Sequence, residues 1–162
     1  MSTSQKILKL KSRDDVIFEV SEAAAFQSGM IKNMLKDDGA DDAIHIVEVE
    51  KRDVIPILEV DGRFLAMVIE YWNKHLYEKA SEDEIKRWDV EFVNKDQSLL
   101  YHLIMAANYL DTPGLIELLC WRVAEMIKGR KPEEIRQTFN IKNDFSPEDE
   151  AEIYKQYAWA FE

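Results

Sequence analysis

Between Leu99 and Ile127 the only Asp, Glu, Lys or Arg side chains are Asp111, Glu117, Arg122 and Glu125, in a chain of which those four residue types make up 33%. Leu99, Leu103, Ala106 and Leu110 form one helical row, and Leu100, Ile104 and Ala107 form the row beside it. Asp111 ends that helix. Thr112 is placed to cap the next, with Pro113 at its first position, where the missing N–H costs no helical hydrogen bond. The second helix, Leu115 to Ile127, is so apolar that burial on several sides is expected. No stretch of eighteen apolar residues occurs, so no bilayer span is expected. The helical pair is instead the centre of a core, and 162 residues are enough to bury one of fair size.

The flanking segments have different periods. Residues 5–12 alternate charged and apolar positions, placing Leu8 and Leu10 on one pleat face of a half-buried strand. Asp14-Asp15 makes a turn and Val16–Val20 supplies the second strand of a hairpin, without the Asn-Gly or Asp-Gly signal of the tightest turns. Ser21 can cap a short helix, and Gly29 is expected to separate it from a second amphipathic piece, Met30 to Leu35. The acids of 37–42 suit a solvated loop. Residues 44–49 and 55–60 then repeat one pattern at an offset of eleven, and the register persists to Arg52 and Arg63. Two copies cannot close a solenoid, so the repeat reads as a small duplication offering one strand two sequences. Pro56 favours a sheet edge.

Phe64, Met67, Val68, Tyr71, Trp72 and His75 follow helical spacing in a helix running to Leu76, and the mostly charged run 78–91 reads as a mobile linker. Gly129 suits a left-handed helix stop. Pro132 begins a short helix to Phe139, a loop runs from Asn140 to Phe145, and Ser146-Pro147-Glu148-Asp149 opens a last helix with its acids at the positive end of the dipole.

Charge and motif content narrow the chemistry. The net charge is −11, with 11 basic against 15 acidic residues over 1–80 and 10 against 17 over 81–162, so both halves repel phosphate backbones. Nucleic-acid partners are disfavoured, and the one basic cluster, Lys128-Gly129-Arg130-Lys131, runs straight into Glu133 and Glu134. The short signatures of phosphate loops, serine nucleophiles and zinc sites are absent, so neither an enzyme nor a metal or other cofactor is expected. His45, His75 and His102 are isolated in sequence and read as structural. Cys120, the only cysteine, lies among apolar residues and is expected to be buried and inert. It can form no intrachain disulfide, which favours a reducing compartment, cytosol or nucleus.

The anomaly is the last stretch. Phe139, Ile141, Phe145, Ile153, Tyr154, Tyr157, Trp159 and Phe161 come after the main core helices, and burying each would stabilise by roughly 1.5–3 kcal/mol. Either all of them pack back on the body, or they form a surface shared with a partner, the reading favoured for a tail too short to bury both helix faces.

At these residues the sequence resembles the S-phase-kinase-associated adaptors of SCF-type ubiquitin ligases, nearly end to end and with a plant-like ending, Trp159-Ala-Phe-Glu162. The block from Met126 to Phe145 carries the resemblance most specifically, with Trp88-Asp-Val-Glu-Phe92 and Ala106-Ala-Asn-Tyr-Leu-Asp111 as further signatures. The resemblance implies an α+β fold: a POZ/BTB-like body over 1–128 with a small three-stranded sheet and mostly helices, then a two-helix extension over 129–162. It implies F-box proteins and a cullin scaffold as partners, with the RING subunit reached through the cullin. It also implies residence in nucleus and cytoplasm, and weak self-association when no F-box is bound. Carried over by motif, Asn108 and Tyr109 would face the cullin. Ile116, Cys120, Val123, Ile127, Ile135, Phe139, Ile141, Lys142, Asn143, Phe145 and Trp159 would contribute to the F-box surface. The chain departs from the family pattern in its doubled strand motif and in Trp72 and Trp121, which stand where smaller residues are expected. Those departures keep open an alternative, an F-box-binding paralogue without productive cullin contact.

Overall fold

The computed structural model describes residues 6–36, 54–76 and 81–160, which fall into two compact units, one through Met126 and one from Ile127 onward. The first unit opens with β1 (Ile7–Lys11) and β2 (Ile17–Ser21), paired antiparallel with Lys9 opposite Glu19. The turn has no glycine because Ser12 builds it. Its hydroxyl donates to Asp14 at 2.6 Å and accepts the Val16 N–H at 3.0 Å, while Asp15 takes a left-handed φ of 65°. Leu8, Leu10 and Val20 point into the core.

Ser21 caps α1 (Glu22–Ala25) through the Ala24 N–H. The two helical pieces expected on either side of Gly29 are present, with the break at 26–28 and Gly29 as the first residue of the second, α2 (Gly29–Lys36). A glycine is needed there for proximity: its N–H donates to the Asp111 carbonyl at 2.7 Å, and a Cβ would come within 2.0 Å of the Asp111 carboxylate.

Of the duplicated motif, the 55–60 copy supplies β3 (Ile55–Pro56), parallel to β1 in a sheet ordered β2-β1-β3; the 44–49 copy lies outside the described residues, as do the 37–42 acids and His45. Pro56 sits in an outer strand of that sheet, where its missing donor is tolerated. The motif continues with Ile57 N–H donating to Lys11 O at 2.7 Å and Arg13 N–H donating to Val60 O at 2.9 Å. The second residue past the motif distinguishes the two copies. Gly62 donates to Asp14 at 2.6 Å, and a Cβ on it would lie 3.0 Å from Val16; the equivalent position after the other copy is Lys51. Arg13 and Asp61 close the same corner with paired hydrogen bonds of 2.8 and 2.9 Å.

Helix α3 (Gly62–Leu76) buries Leu65, Val68, Ile69, Tyr71 and Trp72. Trp72 is wholly enclosed, and its indole N–H donates to the Thr112 hydroxyl at 3.2 Å.

The linker expected over 78–91 is overturned from Glu82 onward by α4 (Glu82–Phe92). Ile85, Trp88 and Phe92 occur at i, i+3 and i+7 within the charged run. Ile85 and Phe92 are buried, and Trp88 stacks on Phe92 with ring centroids 4.6 Å apart. A reciprocal Ser81–Glu84 capping box starts the helix, with the Ser81 N–H donating to the carboxylate at 2.8 Å. That bond, then the serine hydroxyl, holds the Glu84 carboxyl below its usual value. A lowered native pKa gives stabilisation that is full above the unfolded value of about 4.3 and fades as pH falls through the native one. The protection factor of the Ser81 amide, its exchange rate normalised to the intrinsic rate at each pH, should therefore fall on acidification below that range in the native chain, and Glu84→Gln should remove most of that fall.

Helices α5 (Gln97–Tyr109) and α6 (Pro113–Ile127) complete the unit. The first buries Leu100, Leu103, Ala106 and Ala107. The second departs from its expected burial on several sides: only Leu115 and Leu119 are fully enclosed, and Cys120, expected buried, is exposed with Trp121 beside it. The core lies along one stripe of α6, and an apolar composition does not by itself say how many sides are covered.

In the second unit, Gly129 has the expected left-handed φ of 69°. Beyond it lie α7 (Pro132–Phe139), a left-handed Asn140, α8 (Pro147–Gln156) capped by Ser146 as expected, and a 3-10 turn over Ala158–Ala160.

Candidate functional site

The residues that could bind partners divide between the units. On α5, Tyr101, Met105 and Asn108 fall at i, i+4 and i+7, and all three are exposed. Tyr109 is half-buried and packs against the hydrophobic core. On α6, Ile116, Cys120 and Val123 follow helical spacing along one face; Cys120 is exposed and the other two are half-buried. Trp121 belongs to a different face of that helix and is 44% exposed.

In the second unit the arrangement is held by polar side chains. Glu134 accepts the Lys131 N–H at 2.7 Å at the start of α7. Ile135 and Phe139 share a face of that helix and are half-buried. The loop after Asn140 returns on itself, with the Ile141 N–H donating to Arg136 O at 2.8 Å. Asn143 donates to Glu150 at 2.9 Å and accepts the Phe145 N–H at 3.1 Å, so one amide ties the loop to α8 and sets the direction of Phe145. Lys142 extends into solvent beside it. The Ser146 hydroxyl donates to Asp149 at 2.6 Å and accepts the Asp149 N–H at 3.1 Å, and the hydroxyl, then the backbone, lowers that carboxyl's pKa.

These bonds order the backbone without enclosing a core. None of residues 127–160 is buried, although Ile141, Phe145, Tyr154, Tyr157 and Trp159 are all large and apolar or aromatic. Trp159 reaches 74% exposure.

His75 pairs with Asp89 at 2.7 Å and stacks on Tyr71, and His102 stacks on Phe64, so both serve helix packing. Among the described residues no three His, Cys, Asp or Glu side chains gather as a metal cage. Sequence reasoning placed the tail residues at a partner surface but passed over Tyr101 and Met105, whose signal was their helical spacing with Asn108.

Comparison with known proteins agrees with this architecture. Residues 6–77 match the Skp1 family tetramerisation domain, and residues 113–160 match the Skp1 family dimerisation domain. SKP1-like protein 4 of Arabidopsis thaliana is 44% identical over 174 residues, an alignment spanning all of both chains. SKP1-like protein 1 of rice (Oryza sativa subsp. japonica) is 44% identical over 98% of this chain and 96% of its own. SKP1-like protein 9 of Arabidopsis thaliana is 47% identical over 98% of this chain and 99% of its own. The chain belongs to the Skp1 family, the adaptors of SCF-type ubiquitin ligases, which bind F-box proteins and a cullin.

Proposed function

We propose that this chain acts without catalysis, the first unit docking on a cullin scaffold while α6 and the second unit hold an F-box protein. Joining the two interfaces raises the local concentration of the substrate at the transfer site, and the chain supplies no reacting group. The observation that carries the reading is a folded C-terminal unit in which no described residue is buried. A helix pair that encloses nothing of its own gains its apolar stabilisation from a second polypeptide.

Ile116, Cys120, Val123, Ile127, Ile135, Phe139, Ile141, Lys142, Phe145 and Trp159 contact the F-box. Asn143 acts through its neighbours, since its amide is engaged by Glu150 and the Phe145 N–H and fixes the loop that presents them. Asn108 and Tyr109 belong to the cullin side. The adaptor works in nucleus and cytoplasm.

The test is reconstitution. The full chain should capture an F-box peptide and a cullin N-terminal fragment together, and substrate ubiquitylation in the assembled ligase should require it. Recovery of neither partner would reject the reading. Capture of the F-box peptide without the cullin fragment would instead make the chain a holder of F-box proteins outside the ligase.

A further inference from the structure

The duplicated motif gives the chain two sequences for one slot, the place beside β1 that residues 55–60 fill. Ile55, Ile57 and Val60 are buried there, while Leu58 and Glu59 are exposed. Moved back by the offset of eleven, the buried positions fall on Ile44, Ile46 and Val49, the same residues in the same order. The copies differ elsewhere. His45 stands for the half-buried Pro56 and Val47 for Leu58.

The other contacts of the slot are made by backbone, which either copy supplies. Leu10 and Lys11 pair with Ile55 and Pro56, the Ile57 N–H donates to Lys11 O at 2.7 Å, and Val60 O accepts the Arg13 N–H at 2.9 Å. Slipping a strand by one residue turns its apolar set to the wrong face, whereas a shift by the length of the repeat restores it. What favours 55–60 is gathered at one corner. Asp61 takes paired hydrogen bonds from Arg13, and Gly62 donates to Asp14 where a Cβ would lie 3.0 Å from Val16. The matching residues after the other copy are Glu50, which keeps a carboxylate, and Lys51, which brings the Cβ.

We propose that residues 44–49 are an alternative occupant of the β3 slot, exchanging with 55–60 by a slide of eleven residues within one chain. The inference does not depend on the adaptor reading. Connectivity selects the occupant: only residues 50–54 join the two copies, which keeps each near the slot the other fills. With 44–49 in place, residues 37–43 still join it to α2, a reach of up to about 23 Å. The slide preserves the buried set and changes the attachment of α3. Asp61 alone separates 55–60 from that helix, whereas residues 50–61 separate 44–49 from it, and the hold of Arg13 and Asp14 on the helix start is released.

The experiment traps each register with a disulfide in the full chain, after Cys120→Ser removes the native thiol. Lys11 is the strand partner of Pro56, so Lys11→Cys with Pro56→Cys reports one register and Lys11→Cys with His45→Cys the other. Each variant is equilibrated with reduced and oxidised glutathione, and the effective concentration of its thiol pair is measured. The 11–45 disulfide should form, less readily than the 11–56 one. Adding Ile44→Ser and Ile46→Ser should weaken it about tenfold or more, because both isoleucines must be buried in the slot. The same pair of serines should leave the 11–56 disulfide at least as strong. Gly62→Ala should move the balance the other way, raising the 11–45 disulfide at the expense of the 11–56 one. An 11–45 disulfide that fails to form, or that is indifferent to the serines as a chance encounter of tethered thiols would be, overturns the proposal. A disulfide joining two chains assigns 44–49 to the slot of a second copy and overturns it too. Should Gly62→Ala impair folding, the serine variant decides alone, with the 11–56 disulfide as its control for an intact sheet.

Discussion

Trp72→Ala is expected to lower the stability of the first unit by about 3–5 kcal/mol, the range for deleting a large buried aromatic side chain. The residue is fully enclosed on α3. Its indole N–H ties α3 to the Thr112 hydroxyl, at the junction between α5 and α6, and its own carbonyl accepts from Gln27 at 2.7 Å. Alanine leaves a cavity and removes one partner of a buried hydrogen bond, and both losses fall on the same side. Against a typical domain stability of about 5–15 kcal/mol, the loss is a large fraction. Urea unfolding followed by circular dichroism measures it. Trp72→Phe, which keeps most of the volume and loses only the N–H donor, should cost much less. A shift below about 1 kcal/mol for the alanine variant would show that neighbouring side chains collapse into the space, and that the indole is not the keystone its burial indicates.

The tryptophan also shows how a departure from a family pattern should be weighed. Trp72 and Trp121 both stand where smaller residues are expected, but the structure assigns them opposite characters. Trp72 is absorbed into the core with its donor satisfied, whereas Trp121 is left 44% exposed on α6. Composition could not separate them, because the burial of a helical position depends on which stripe faces the neighbouring helices. The same reason accounts for Cys120. Its apolar neighbours in sequence do not surround it in space, since on a helix the residues at i±1 point about 100° away.

The elements legible in the sequence were those with a strong local signal. The strand alternation around Leu8 and Leu10, the caps at Ser21 and Ser146, and the left-handed Gly129 all depend on residues close in the chain. What escaped was nonlocal or disguised. Gly29 was legible as a boundary between two helical pieces, but its approach to the Asp111 carbonyl was not. Helix α4 hid its apolar row, Ile85, Trp88 and Phe92, inside a run of charges, although Ser81 and Glu84 spell out a capping box at its start. For the candidate surfaces, the aromatic density of the tail was readable, but the absence of any buried residue over 127–160 needed coordinates.

That absence leads to the prediction with the sharpest functional effect. Phe139→Glu should weaken F-box peptide binding about a hundredfold or more, while leaving cullin-fragment affinity and the urea midpoint of the first unit unchanged. Phe139 shares the α7 face of Ile135 and is half-buried in the free chain, so the helix tolerates a carboxylate that solvent can still reach. Once a partner covers the face, the same carboxylate must be desolvated without a counter-charge. That penalty, several kcal/mol, adds to the loss of an aromatic anchor. Trp159→Ala, at a position 74% exposed, should weaken capture by a smaller factor with no change in stability. Hydrogen exchange supplies the complementary measurement. Amides of 127–160 should be poorly protected in the free chain and gain protection when the F-box peptide is added, because ligand binding stabilises only the states that bind it. Strong protection without any peptide, together with unchanged capture by Phe139→Glu, would mean that the exposed aromatic side chains of the second unit are not the seat of a partner.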